Sequence, residues 1–533
     1  MSVVNQKNGL DNFYEVIQQA AQNWGDKTAL IFDDTNEKYS FNEVKERAEH
    51  YASILTGLGI KKGDKVALMM PNISSFPFSW LGLGLIGGVT VPLNYRYQAF
   101  DAKYQINHSE AKLVITTNEK VEMLNSLRTK REASFTLITV DEENNEADGY
   151  LPNLMQKFSN TYKYDRNIFS ETLMNIQYTS GTTGKPKGCM LTQKYWINIG
   201  EKIADKSLIG IHNEDILLTS QPFYYMDPQW NTMAALVNGS TLVILDRFSP
   251  SVFWKKVYDY GVTFFYVLGN MPILLLKMPE SFEEKNHKVR FIGCSAIPSH
   301  LHEQIEKRWN VPWHEVFGMT ETGYDISMRV HEHDAYVGTG ALGRPATDRE
   351  VRIVKSDGQL AERGELGEMV FRGKGMMDGY FKNEEATNEV FRNGWFHTGD
   401  IAYMNEDGII FYGGRVKDMI RRSGENIAAA EVEEVIMLND QVRIAACTAV
   451  EDEIRGEEVK AHVVPTDESV DKDKLIEQLI AHCTNHLASF KVPRYWEIRS
   501  DMPITPSERI AKHQLADNPY DYYDRVSEEW VKK

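Results

Sequence analysis

Two textures alternate along residues 28–95. Short β-branched runs such as KVALMM are followed by amphipathic stretches such as FNEVKERAEHYASILTGLG, whose apolar residues return every three to four positions. That rhythm predicts strand–helix–strand units, and so a parallel sheet flanked by helices. The runs STLVILD, VTFFYVLG and VRFIGCS continue it as short strands as far as residue 345. From there the texture changes. REVRIVKSDG, GELGEMVFRG and DGIIFYGGR read as strand pairs closed by Gly or Asp-Gly turns, which predicts a small antiparallel region. After Arg415, AAAEVEEVIMLN and KDKLIEQLIAHCTNHL are amphipathic helices around the strands IAACTAV and VKAHVVP. The expected fold is α/β. A large N-terminal domain, 1–416, holds parallel and mixed sheets flanked by helices plus the antiparallel region, and a small α+β C-terminal domain, 417–533, follows a hinge near Lys417. The acidic, Asn-rich stretch 141–172 reads as a surface excursion leading to the strand NIQYTS.

Length agrees with more than one packed unit, since 533 residues exceed what a single core usually holds. Hydrophobic residues at 42% and charged residues at 25% are ordinary for a folded chain. Charge excludes one class of partner. With 59 Lys and Arg against 76 Asp and Glu, the net charge of −17 repels polyanions, so no nucleic-acid partner is expected. An anionic substrate then needs a local cradle of donors and a cation. The four cysteines, Cys189, Cys294, Cys447 and Cys483, form no CxxC pair, which suggests neither zinc nor disulfides and fits a reducing cytoplasm. The N-terminus has no apolar core of signal-peptide length. The best apolar run, 80–93, is too short for a bilayer, so no transmembrane segment is expected.

A candidate cradle is TSGTTGKPKG, 179–188, which follows a strand and packs three glycines, four hydroxyls and two lysines into ten residues. Glycines let successive backbone N–H groups turn into one concavity, hydroxyls add donors, and a lysine adds a point charge. A polar surface loop is the other reading of such a cluster. The spacing does not match GxxxxGK[ST], so a P-loop is not supported.

This run resembles the signature loop of the adenylate-forming superfamily, which includes acyl-CoA synthetases, luciferases and peptide-synthetase adenylation domains. Other motifs of that family recur in order: FGMTE at 317–321, WFHTGD at 395–400, GRVKD at 414–418 and FKVP at 490–493. Within it, the chain looks closest to the carnitine and crotonobetaine CoA ligase group. The resemblance implies an AMP-forming acid–thiol ligase using ATP, Mg²⁺ and coenzyme A on a small carboxylic acid, with homodimers common among such ligases. It places Thr179, Ser180, Gly181, Thr182, Thr183, Gly184 and Lys187 in the loop that handles the β- and γ-phosphates. Thr320 would contact the α-phosphate, and Glu321 would hold Mg²⁺, as a carboxylate suits a hard cation. Asp400 would accept the ribose hydroxyls with Arg415 assisting. Lys417 would be the hinge about which the small domain moves between half-reactions, with Ser423 and Gly424 along the pantetheine tunnel.

The chain departs from the family near its C-terminus. PITPSERI stands where the family reads PxTxxGKI, so Glu508 falls at the glycine and Arg509 at the adenylation lysine. Direct alignment alone favours Arg509 as the cation that bridges the two anions, but Lys512, three residues on, keeps a lysine that can reach in from the next turn and is the preferred candidate. Both stand as catalytic candidates. For the acyl pocket, the segment PFYYMDPQW at 222–230 puts Tyr225 where the family often has a histidine, and groups Phe223, Tyr224 and Trp230 with Asp227. Aromatic faces and one anion suit a quaternary ammonium, so a betaine acid is one reading and an aromatic core at the sheet edge is the other. Gly293 and Ser295 would supply further wall, together with Val267, Gly269, Asn270 and Met271. A fatty- or aromatic-acid CoA ligase, and an adenylating enzyme with a non-CoA acceptor, remain alternatives. With only a short stretch after Lys512, no fused carrier domain is expected.

Overall fold

The computed structural model describes residues 10–130, 132–179, 186–206, 208–268, 271–423, 425–452, 454–467, 469–504, 510–515 and 521–532, with the side chains of 425 and 426 also outside the description. One fourteen-stranded sheet and two seven-stranded sheets organise these residues. The first runs in space through Gly149–Tyr150, Thr136–Thr139, Ala111–Thr116, Lys65–Met69, Val89–Pro92, Leu173–Thr179 and Lys187–Thr192. It is parallel up to Leu173–Thr179, which then turns back as a hairpin with Lys187–Thr192. Within 141–172, expected as an excursion, a short strand at Gly149–Tyr150 extends this sheet and a helix at Leu151–Lys157 packs beside it.

The helices on this sheet follow from local sequence. Phe41–Gly57 begins with a capping box in which Ser40 and Glu43 satisfy each other's backbone N–H groups. Its buried face, Phe41, Val44, Ala48, Tyr51 and Leu55, lies on the helix Ser75–Ile86. That second helix is apolar all round because it is buried all round. A Cβ on Gly82 would lie 2.8 Å from the Cβ of Tyr51, so glycine there lets the two helices touch. The apolar run that was too short for a bilayer is therefore the second half of the core helix Ser75–Ile86 followed by the buried strand Val89–Pro92. Among the described residues no helix is long and apolar enough to cross a membrane.

In the second sheet the strands Thr28–Phe32, Thr241–Ile244, Ile216–Thr219, Phe264–Leu268, Phe291–Ser295 and Trp313–Met319 run parallel. The strand pairs expected as a small antiparallel region are there, and they continue this same sheet through Gly323–Ser327, Ala341–Pro345, Ile410–Arg415, Trp395–Met404, Gly367–Gly373 and Arg349–Val354. The antiparallel strands lie beside the last parallel strand, Trp313–Met319, whose carboxyl end leads into the turn to Gly323–Ser327, and ligands bind at the carboxyl ends of strands in open α/β sheets.

The third sheet is built from residues after 418. Val442–Asp452 and Gly456–Pro465 form its long hairpin, and the helices Ala429–Met437 and Lys472–His486 bury Val432, Ile436, Leu475 and Leu479 with Trp496. A hydrogen bond from Ser299 to Glu434 ties this unit to the larger body. All four cysteines are free and buried.

Candidate active site

Thr179 and Lys187 face each other in register at the end of the hairpin whose tip is the glycine-rich loop. Ser180, Gly181, Thr182, Thr183 and Gly184 of that loop lie outside the described residues. The returning strand is laced to the segment 377–381: Phe381 N–H donates to Gly188 at 2.7 Å and Met190 N–H to Gly379 at 2.9 Å. This brings Tyr380 beneath Lys187, whose Nζ sits 5.0 Å from the ring centroid. The phenol O–H donates to Glu321 Oε1 at 3.0 Å.

Thr320 and Glu321 occupy the turn between Trp313–Met319 and Gly323–Ser327, where Met319 pairs with Gly323. The turn is too tight for side chains at its base. A Cβ on Gly318 would fall 2.1 Å from the Gly323 oxygen, and Gly323 has φ +82°. Behind it, Tyr195 donates to the Thr320 carbonyl at 2.9 Å and Arg349 Nη2 to the Thr322 carbonyl at 2.6 Å. Arg349 is itself paired with Asp325 at 2.7 Å, both side chains fully buried. The backbone of the turn is thereby fixed before any ligand arrives, which is what a binding turn requires.

Asp400 and Arg415 lie opposite each other on adjacent strands, with Arg415 Nε 2.8 Å from Asp400 Oδ1. Tyr412 O–H reaches the same oxygen at 3.3 Å. Burial alone would lower the Arg415 pKa, but Asp400, Tyr412, Glu321 and Asp418 together outweigh it and raise it. Glu321, Arg415 and Asp400 therefore share one electrostatic neighbourhood. The Oε2 of Glu321 carries no hydrogen bond among the described residues, so a hard cation fits there, a carboxylate oxygen being its preferred ligand.

Acyl-pocket candidates gather on the other side of the turn. Tyr225 caps the helix Met226–Asn238, and its ring stands 4.8 Å from that of Tyr224. Trp230, on the same helix, packs edge-to-face on Tyr266 at 5.6 Å. Tyr266 donates to Ser295 Oγ at 2.6 Å, and Ser295 in turn bonds the Val316 carbonyl. Gly293 is level with Tyr266, where a Cβ would come within 3.2 Å of its ring. Asp227 is 3% exposed and bonded to Thr219, and its Oδ1 has no partner among the described residues. Burial pushes its carboxyl up to about 7, only partly offset by Thr219. Phe223 is different, for it stacks on Phe76 at 5.0 Å inside the core. Val267 and Met271 also belong to the core behind the sheet, and Gly269 and Asn270 lie outside the described residues.

Tyr266, Tyr380 and Tyr195 were not singled out from sequence. For Tyr266 the signal was parity: it alternates with buried Phe265 and Val267, so it points to the opposite face. Glu315 is a further case. Its carboxylate accepts the N–H groups of Ala296 and Ile297 at 2.7 and 2.9 Å, and burial pushes it up to about 7. It ties the loop after Ser295 to the strand carrying Thr320.

Lys417 lies in a short 3₁₀ turn, Val416–Asp418, and Ser423 follows at φ +52°. Arg509 and Gly424 lie outside the described residues. Lys512 is committed: its Nζ is 2.6 Å from Glu433 and 3.3 Å from Asp418. Burial alone would lower its pKa, but those carboxylates hold it above the usual lysine range.

His302, Glu306 and His333 bring their donor atoms within 4.8 Å of one another. Gly338 N–H donates to His302 Nδ1 at 3.2 Å, so Nε2 carries the proton, directed at the Trp313 carbonyl 3.0 Å away. A metal on Nε2 would need that proton on Nδ1, facing another donor. The cluster is a hydrogen-bonded clamp, with Glu306 held at about 2: burial raises it, but His302 and His333 lower it further.

The family model described as AMP-binding enzyme matches residues 17–381, and that of the AMP-binding enzyme C-terminal domain matches 431–509. The crotonobetaine/carnitine–CoA ligase of Salmonella agona (strain SL483) is 29% identical over 520 residues, covering 95% of this chain and 99% of that protein. The o-succinylbenzoate CoA synthetase of Bacillus subtilis, in complex with its acyl-adenylate intermediate, superposes with TM-score 0.79 at 24% identity, over 96% of this chain and 99% of that one. A benzoate CoA ligase from Burkholderia xenovorans LB400 does so with TM-score 0.84 at 24% identity, over 95% and 100%.

Proposed function

The chain belongs to the AMP-binding enzyme family, and from that premise we propose that it is an ATP-dependent acid–CoA ligase. A carboxylate attacks the α-phosphate of ATP to give acyl-adenylate and pyrophosphate; the thiol of coenzyme A then takes the acyl group and AMP leaves. The observation that carries this reading is the convergence of Lys187, the Thr320–Glu321 turn and the Asp400–Arg415 pair at the carboxyl edge of the parallel strands.

Two anions must meet in the first step, so the work is charge neutralisation and alignment. Lys187 and Arg415 supply fixed positive charge, and Thr320 supplies a hydroxyl on a turn whose carbonyls are already held by Tyr195 and Arg349. Asp400 receives the ribose diol. Mg²⁺, held by Glu321, would neutralise phosphate charge when bound. The small domain, 417–533, would move about Lys417 between the two steps. Lys512 is engaged by Glu433 and by Asp418 beside that hinge, which favours Arg509 as the cation of adenylation.

The acid we propose is a betaine, such as carnitine or crotonobetaine. Support comes from Asp227, a buried carboxyl with an unsatisfied oxygen near the Trp230–Tyr266 pair, since an ammonium would satisfy both carboxylate and rings. A neutral aromatic acid is the second reading, favoured by the same ring pair, against which another ring would pack. The test is ATP- and CoA-dependent AMP release across carnitine, crotonobetaine, γ-butyrobetaine, fatty acids and benzoate. Preference for the betaines supports the proposal, and preference for benzoate or a fatty acid replaces the substrate while leaving the reaction in place.

A further inference from the structure

We infer that Tyr380 is a positioning residue that holds the phosphate-side lysine, Lys187, and the carboxylate of Glu321 in one fixed arrangement, and so sets how the enzyme takes up metal-bound ATP. The inference rests on the nucleotide reading above. Two features separate Tyr380 from a tyrosine that merely fills the core. Its ring lies under the Lys187 ammonium, 5.0 Å from Nζ, where the face of a phenol attracts a cation. Its hydroxyl donates to one oxygen of Glu321 and leaves the other without a partner among the described residues. One ring thus contacts the positive group at its face and the negative group at its edge.

The backbone of Tyr380 has little freedom to drift. It bridges to Cys189, its N–H donates to Thr387 Oγ1 at 2.9 Å, and its neighbours Gly379 and Phe381 bond the strand that carries Lys187. Met377 N–H, three residues before, donates to the carbonyl of Glu321 itself at 2.8 Å. A carboxylate held by a neutral donor keeps its charge for a cation and loses its freedom to rotate, and supporting hydrogen bonds of this kind typically matter tenfold or more to a metal's affinity.

The experiment is calorimetric titration of the full chain and its variants with ATP at fixed Mg²⁺ concentrations, with ATP plus EDTA, and with AMP. Tyr380→Phe keeps the ring and removes the hydroxyl. It should raise the Mg²⁺ concentration that half-saturates the ATP response by about tenfold while leaving AMP and metal-free ATP within about twofold. Tyr380→Leu, which also removes the face beneath Lys187, should weaken metal-free ATP as well. In the double variant with Glu321→Gln, the Tyr380→Phe effect on Mg²⁺ should vanish, and this arm remains decisive should Tyr380→Leu fail to fold. Equal weakening of ATP and AMP by Tyr380→Phe, or no change in Mg²⁺ dependence, overturns the inference alone. Wild-type protein that binds no ATP overturns the nucleotide reading and this inference with it.

Discussion

Replacing Asp227 by Asn should separate the cost of a buried carboxylate from its use. The side chain is 3% exposed, bonded to Thr219 and otherwise unsatisfied, and burial raises its pKa from 3.8 to about 7. The protonated form is the one the fold prefers, so its stabilising contribution is complete below pH 3.8 and is lost as the pH rises through about 7. That displacement corresponds to about 4 kcal/mol at alkaline pH. Asp227→Asn, of equal size and never charged, should therefore melt higher than wild type at pH 8, with the difference shrinking toward pH 4. Catalysis should move the other way. An ammonium about 5 Å from the carboxylate, at an effective dielectric near 20, gains about 3 kcal/mol, or about 100-fold in kcat/KM. The assay compares crotonobetaine with 5,5-dimethylhex-2-enoate, in which carbon replaces the ammonium nitrogen. Wild-type kcat/KM for the betaine should rise with pH up to about 7 and then level off, and the variant should lose both that slope and the 100-fold. Equal losses with the neutral acid, or an unchanged pH profile, would refute the reasoning.

Gly318→Ala places a Cβ 2.1 Å from the Gly323 oxygen, so it should open the Thr320–Glu321 turn and weaken ATP binding at least tenfold, measured by calorimetry, while circular dichroism stays native. Arg349→Met leaves Asp325 charged and buried, which should cost about 3–5 kcal/mol in denaturant unfolding; adding Asp325→Leu should recover most of it. Arg509→Ala should slow adenylation far more than thioester formation from supplied acyl-adenylate. Lys512→Ala, which frees Glu433 and Asp418, should lower thermal stability and slow both half-reactions alike.

Much of the architecture was legible because periodicity reports burial directly. The strands Thr241–Ile244, Phe264–Leu268 and Phe291–Ser295 stand where short apolar runs predicted them. What periodicity does not carry is long-range order in a sheet. The antiparallel strands therefore read as a small region of the large domain, and that Gly323–Ser327 and Ala341–Pro345 join them to the parallel core as one sheet is visible only in the structure. Of the residues of the proposed site, Lys187, Glu321, Asp400 and Arg415 stand inside dense motifs of the sequence. Tyr380 does not, and its importance lies in meeting Lys187 and Glu321, remote in sequence, through backbone pairing. Composition also grouped Phe223 with Tyr224, Tyr225 and Trp230, yet it packs on Phe76, since the chain turns at 222–225, closed by the Tyr225 N–H on the Pro222 carbonyl, and sends Phe223 into the core.

The measurement closest to the central claim is isotope exchange between pyrophosphate and ATP, run with the preferred acid in the absence of coenzyme A. Acid-dependent exchange without CoA, with AMP accumulating only once CoA is added, is the result expected of two half-reactions joined by an acyl-adenylate. Exchange that does not depend on the acid, or no exchange from a protein that binds ATP and the acid, would contradict it.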